Sequence, residues 1–280
     1  MKRIAVIPNN SKDFGLINTR RLVDFLSDKA DIYMDEAYGV LGMNIKYVPS
    51  AKIYENAEYV LVLGGDGTIL QRAAECAKRR IPILGINLGK IGFMTEIEID
   101  DMEEALTKFL NDDFKIEKRM MMKAEVRKSN KVQFSFHALN DVVVSKSLGE
   151  KLIRIELSTN GEEVNRYTAD GLIIATPTGS TGYSISAGGP VADPCMRLYV
   201  ATPICAHMLS VRSAVLSSDK VIKIRLDSEY GGEAVVTADG DVQGYIKDSD
   251  EVVITESEYD FELVKIGEQS FYDTLLKKLS

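Results

Sequence analysis

An aspartate set among glycines is the first feature of this chain with chemical potential. Residues 59–75 read YVLVLGGDGTILQRAAE: an apolar strand, a turn carrying Gly64, Gly65 and Gly67, then an amphipathic helix. A strand–glycine turn–helix unit is a general phosphate cradle, because small residues admit a ligand to the backbone and the helix amino terminus offers unpaired N–H groups. Asp66 sits where such a cradle usually presents backbone alone. A carboxylate there repels phosphate unless it does chemistry or works beside a cation. The common phosphate motifs do not fit, since no lysine completes a Walker A loop and Leu70 takes the place of the third glycine of the dinucleotide fingerprint. The plainer reading is a tight turn with Asp66 capping the helix.

Two more stretches carry polar chemistry. Thr168–Pro190, TADGLIIATPTGSTGYSISAGGP, holds five glycines and seven Ser or Thr residues around one apolar strand. Hydroxyls and bare backbone at this density suit a sugar or nucleotide; a solvated serine-rich loop is the alternative. Asn140-Asp141 precedes the apolar run Val142–Val144. An amide beside a carboxylate can hold ribose hydroxyls or can form a simple Asx turn.

These residues need elements to position them. Lys2–Ile7, Asn44–Val48, Tyr59–Leu63 and Pro82–Ile86 read as strands, and Asn18–Ala30, Thr68–Arg80 and Ile99–Leu110 as helices. Strands separated by helices imply an α/β amino-terminal domain with a doubly wound, Rossmann-like parallel sheet. Beyond about residue 115 apolar and polar residues alternate, as in VQFSFHALNDVVVSK and KVIKIRLDS, and Asn160-Gly161 marks a hairpin. That half reads as β-rich and mainly antiparallel. The tail SFYDTLLKKLS returns to helical spacing. The expected domains are 1–113, completed by a carboxy-terminal helix over 268–280, and 114–267.

Composition narrows the class. The chain has 280 residues, 45% hydrophobic and 27% charged, which suits a globular protein of one or two domains. The net charge, 34 − 42 = −8, argues against a sequence-independent nucleic-acid binder. It also makes a divalent cation a natural companion to any polyphosphate substrate. No apolar run approaches the ~18–20 residues that span a bilayer, so no membrane partner is expected. Cys76, Cys195 and Cys205 are read as buried, reduced thiols of a cytoplasmic protein, and two histidines are too few for a histidine metal site.

In order and spacing, GGDGT, LNDVVV, DGLIIATPTGST-Y--SAGGP and TPICAHMLSVR resemble the ATP-dependent NAD kinases over nearly the whole chain. The GGDGT turn is shared with diacylglycerol and sphingosine kinases; the TPTGST-Y segment is particular to NAD kinases. The resemblance implies two domains with the active site in the crevice between them. It implies transfer of the ATP γ-phosphate to the adenosine ribose 2′-hydroxyl of NAD, a divalent metal (Mg²⁺ first), and a homodimer or homotetramer. It gives Asp66 the role of proton acceptor, with Gly67 and Thr68 of the same turn in the binding set. Phe93 matches an aromatic that packs on the nucleotide, and Asn140 and Asp141 match the pair that holds the dinucleotide. Asp170 matches an acid near the nicotinamide end. Thr181, Tyr183 and Ser186 match the adenosine-binding face, with Thr178 close by. Gly182 stands where alanine is usual, a harmless change. Thr168 occupies a place often basic, a charge that Lys151 is expected to restore. No residue is singled out as a metal ligand. A lipid kinase would explain GGDGT without the Ser/Thr-rich segment, and a non-catalytic NAD sensor would need no acid at position 66.

Overall fold

The computed structural model describes residues 1–280 apart from 90–91, 96, 150–151, 208–211, 228–231, 249, 268–269 and 280, and the side chain of residue 279. The chain forms two compact units, Met1–Lys118 with Phe261–Ser280, and Arg119–Asp260. The divide lies five and seven residues from the boundaries expected from the sequence, 113/114 and 267/268. It falls inside two unbroken strands, β7 (Lys115–Lys128) and β18 (Asp250–Lys265), so no linker marks it.

The first unit begins with β1 (Lys2–Pro8), α1 (Ile17–Leu26), β2 (Ala30–Asp35) and β3 (Lys46–Val48). It continues with β4 (Tyr59–Gly64), α2 (Asp66–Arg79), β5 (Ile83–Asn87), β6 (Ile97–Glu98) and α3 (Met102–Leu110). Its strands lie in the order β3-β2-β1-β4-β5, all parallel. Val60 to Leu63 have no solvent exposure, as expected of a parallel strand covered on both faces. Leu22 and Leu26 of α1 and Leu106 and Phe109 of α3 share one core with Ile4, Val6, Leu61 and Leu63. From β1 the chain moves to β2 on one side, and from β4 to β5 on the other. The carboxyl ends of β1 and β4 thus form a topological switch point, where open α/β sheets bind ligands. The unit closes with the end of β18, whose Leu263 pairs in parallel with Ile83, and with helix α5 (Phe271–Leu279).

The second unit adds β8 (Lys131–Ala138), β9 (Asp141–Lys146), β10 (Ile153–Thr159), β11 (Glu162–Ala169) and β12 (Gly171–Ala175). After the short helix α4 (Tyr183–Ser186) come β13 (Leu198–Ile204), β14 (Ala214–Ser217), β15 (Ile222–Leu226), β16 (Glu233–Ala238) and β17 (Asp241–Lys247). One sheet runs β14-β13-β12-β9-β16-β17, wholly antiparallel. The other joins β11-β10-β15-β18 to β7 and β8. Val142, Val144, Leu172 and Ile174 from the first sheet meet Ile155, Leu157, Ile224 and Val252 from the second in one core. The β10–β11 hairpin turns at Asn160 and Gly161, both at positive φ (49° and 88°), as this dipeptide predicts.

One expectation about the thiols is corrected. Cys76 is buried on α2, but Cys195 and Cys205 are exposed, and among the described residues none of the three forms a disulfide. Cys195 follows Asp193-Pro194 in a turn, and Cys205 lies just past β13 at φ 47°, so neither is on a core-facing strand position. Among the described residues no helix is long and apolar enough to cross a membrane.

Candidate functional site

The glycine turn is built by close approach, and each small residue has its own reason. A Cβ on Gly64 would stand 2.5 Å from Thr68 Oγ1 and 3.2 Å from Asn9 Cβ. There Asn9 Nδ2 donates to Thr68 Oγ1 at 2.7 Å, tying the loop after β1 to the first turn of α2. A Cβ on Gly92 would overlap the Asp66 carboxylate. Nothing lies within 4 Å of the Cβ position of Gly67, so there the backbone is open to a ligand.

Asp66 does not cap α2: the N-cap is Gly65, and Asp66 is the first helical residue. Its carboxylate turns instead to the loop after β5. Oδ2 accepts the N–H of Phe93 at 2.8 Å, and Oδ1 accepts those of Met94 (3.0 Å) and Thr95 (3.3 Å). Lys278 Nζ of α5 stands 3.9 Å from Oδ2 and 4.2 Å from the centroid of the Phe93 ring. Phe271 of α5 packs on that ring at 5.6 Å between centroids. The acid of the glycine turn is thus met by three N–H dipoles and one ammonium, which offset its charge.

In the second unit three strand ends meet. β9 begins at Asp141, β12 ends before Thr176, and β16 ends before Asp239, with Asp141 paired to Ala175 and Val142 to Ala238. Thr176 N donates to Asn140 O at 2.8 Å and Thr176 Oγ1 to Leu139 O at 2.5 Å, holding the TPTGST segment against Asn140-Asp141. Gly179 permits this: a Cβ there would lie 2.5 Å from the Asn140 carbonyl carbon. The Cβ position of Gly182 is 3.7 Å from Asn140 Nδ2 and 4.0 Å from Asp141 Oδ2, so Gly182 adjoins both side chains. An alanine methyl there would press on the Gly179 carbonyl oxygen at 3.2 Å.

Asn140 Oδ1 and Thr178 Oγ1 are buried with no hydrogen-bond partner among the described residues, a costly state that a ligand donor would relieve. Asp239 accepts the N–H groups of Leu139 (2.8 Å), Asn140 (2.7 Å) and Asp141 (3.1 Å) and so fixes the pair's backbone. Burial, then the Asp239 charge, pushes the Asp141 carboxyl up to about 7. Burial also raises Asp239, to about 6, against the three N–H bonds that favour its charged form.

Thr181 Oγ1 donates to Thr178 O at 3.2 Å, while Tyr183 and Ser186 of α4 are exposed, free to meet a flat or hydroxylated ligand. Asp170 is not in this cluster. It precedes β12, at the end opposite Thr176, roughly 20 Å away at ~3.3 Å per strand residue. There it pairs with Lys146 Nζ at 2.6 Å. Lys151 lies outside the described residues. The partner of Thr168 across the β10–β11 ladder is Arg154, so a cation still stands beside the position where a basic residue is usual.

Comparison with known proteins matches this arrangement along its length. Residues 7–114 match the ATP-NAD kinase N-terminal domain, and residues 139–266 the ATP-NAD kinase C-terminal domain. This chain belongs to the ATP-NAD kinase family. It is 40% identical to the NAD kinase of Natranaerobius thermophilus over 282 residues, covering 100% of this chain and 98% of that one. It is 39% identical to the NAD kinase of Caldanaerobacter subterraneus subsp. tengcongensis over 286 residues, covering 100% and 99%. Among solved structures, an NAD kinase from Archaeoglobus fulgidus in complex with ATP superimposes with a TM-score of 0.76 at 28% identity, covering 99% and 98%. Yeast NADH kinase complexed with NADH has the same fold, with a TM-score of 0.90 at 22% identity, covering 100% and 87%.

Reading the sequence as an ATP-NAD kinase misses four residues that the structure brings to these places. Lys278 reaches Asp66 from the far end of the chain, and Lys146 pairs with Asp170. Asp239 organises Asn140-Asp141; the Asp239-Gly240 turn signal was its trace in the sequence. Lys12, from the loop after β1, stands over Gly65, and only the switch-point rule could have drawn attention to that loop.

Proposed function

We propose that this protein phosphorylates NAD on the adenosine ribose 2′-hydroxyl with ATP as donor. The observation that carries the reading is 40% identity to an NAD kinase sustained over the full length of both chains. The chemistry of these residues agrees with it. The glycine turn, bare at Gly67, suits phosphates; the unpartnered oxygens of Asn140 and Thr178 suit hydroxyl and amino donors of a nucleoside. In the reaction the ribose oxygen bonds to the γ-phosphorus as the bond to the β,γ-bridging oxygen breaks, leaving ADP. The hydroxyl proton passes to Asp66. A carboxylate has about four lone-pair positions, and three of those of Asp66 accept N–H bonds. The fourth, on Oδ2, is left to accept the substrate hydroxyl.

A divalent cation, Mg²⁺ in this reading, neutralises the transferring group when bound. Among the described residues no three His, Cys, Asp or Glu side chains gather to hold one. A cation carried in on the nucleotide would be held by its phosphate oxygens and by water. We assign the protein to the cytoplasm, where its three free thiols stay reduced, and to a homodimer or homotetramer, which light scattering measures. The deciding assay incubates purified protein with ATP, Mg²⁺ and NAD and reads NADP with an NADP-specific dehydrogenase, with diacylglycerol offered in parallel. Phosphorylated lipid without NADP, or no turnover at all, overturns the reading.

A further inference from the structure

We propose that Lys12 is the phosphate-binding cation of the glycine turn, contacting the terminal phosphates of the donor nucleotide. The proposal rests on the NAD kinase reading and adds to it a residue from outside every glycine motif.

The turn has no lysine of its own, unlike the phosphate loops in which a following lysine reaches the phosphates. The fold supplies one from a neighbouring loop. At the switch point the loop after β1 lies beside the turn after β4, and Lys12 extends across it. A Cβ on Gly65 would stand 2.6 Å from Lys12 Nζ, and one on Gly89, after β5, 3.9 Å from it. The ammonium thus sits above bare backbone from two loops, where a third reaching group can enter.

This position is prepared rather than accidental. Asn9 N donates to Leu63 O at 2.9 Å, joining the loop to β4, and Asn9 Nδ2 bonds Thr68 of the turn. Asn9 O accepts the N–H groups of Lys12 (3.0 Å) and Asp13 (2.9 Å). Buried Asp13 then receives Asn18 N at 3.0 Å and Thr19 N at 2.8 Å, locking the loop to the first turn of α1. The backbone on both sides of Lys12 is therefore fixed, while its side chain is exposed and pairs with no carboxylate among the described residues. In a chain of net charge −8, an ammonium left unpaired over a phosphate turn is available for an anion. The neighbouring acid, Asp66, is already met by three N–H groups and Lys278, so it does not compete for Lys12.

The test compares the parent enzyme with Lys12→Met and Lys12→Arg. Steady-state kinetics are measured with ATP and NAD varied in turn, and inorganic tripolyphosphate is titrated as a competitor of ATP. Loss of a charged hydrogen bond to phosphate raises the KM for ATP in Lys12→Met by about 10- to 100-fold. Tripolyphosphate inhibition weakens in parallel, the KM for NAD stays within about twofold, and Lys12→Arg recovers most of the loss. Equal rises in both KM values would make Lys12 a prop for the loop and overturn the proposal, as would an unchanged KM for ATP. Absence of NADP production by the parent enzyme is a different result: it removes the NAD kinase reading itself. Tripolyphosphate binding to that inactive parent, lost in Lys12→Met, would still support the cation site.

Discussion

Replacing Asp141 by asparagine should stabilise the second unit at alkaline pH and leave it unchanged in acid. In the unfolded chain the carboxyl titrates near its ordinary value, about 4; in the fold, burial and Asp239 hold it up to about 7. A raised carboxyl binds its proton more tightly in the folded state. Stability is therefore fully present below about pH 4 and drains away as the pH climbs to about 7. A shift of roughly 3 units at about 1.36 kcal/mol each corresponds to roughly 4 kcal/mol. Asparagine has nearly the same shape and cannot ionise, so it escapes this penalty. Solvent screening discounts this figure, so a gain of about 2–4 kcal/mol is expected at pH 8. Urea unfolding followed by circular dichroism at pH 4, 6 and 8 measures the gap, which should open between pH 4 and 7 and then stay level. A gap independent of pH, or a variant less stable at pH 8, would mean that the fold does not hold the Asp141 carboxyl above its ordinary range, and would refute this prediction.

Further expectations concern the substrates and the turn. A ribose hydroxyl donates to the charged form of Asp141, so the KM for NAD should fall as the pH rises from 6 to 8; a flat profile would remove Asp141 from NAD recognition. Asp66→Asn should lower kcat at least about 100-fold and also reduce stability by about 1–3 kcal/mol, because an amide N–H must face a backbone N–H donor at Phe93 or at Met94 and Thr95. Retention of both properties would refute the assigned role. Gly92→Ala should melt well below the parent, since its methyl would overlap the Asp66 carboxylate, whereas Gly67→Ala should melt no lower and yet lose substrate affinity. Phe271→Ala should destabilise the first unit by about 1–2 kcal/mol through its lost packing on Phe93, measured by calorimetry; an unchanged melt would make that contact unimportant.

What could be read from the sequence follows from how local each feature is. β4, with its run of unexposed Val and Leu, and the Asn160-Gly161 hairpin are dictated by neighbouring residues, and both stand where the pattern puts them. Helix α2 starts two residues earlier than its apolar spacing implies, at Asp66, because glycine serves as the cap and the acid is favoured in the first turn. The cluster at Asn140-Asp141 and Thr178 could be anticipated because its members sit at strand ends and in one short segment. Asp170, in the same motif, is carried to the other end of β12, since five strand residues separate the two ends. The contacts of Asp66 with Phe93 and Lys278, and the placing of Lys12, depend on which loops the sheet order makes neighbours, and periodicity holds no information about that.

The closing residues, 261–280, belong to the first unit, with Leu263 extending its sheet beside Ile83 and Phe271 packed on Phe93. This gives the order of synthesis a physical meaning. The second unit, 119–260, is continuous and emerges whole, so it can fold while translation is still under way. The first unit, although begun earlier, waits with β5 paired on one side only at its end, to β6, until residues 261–280 have been made. The Asp66 carboxylate accordingly acquires Lys278 of α5 as a neighbour only after the β-rich unit has been made.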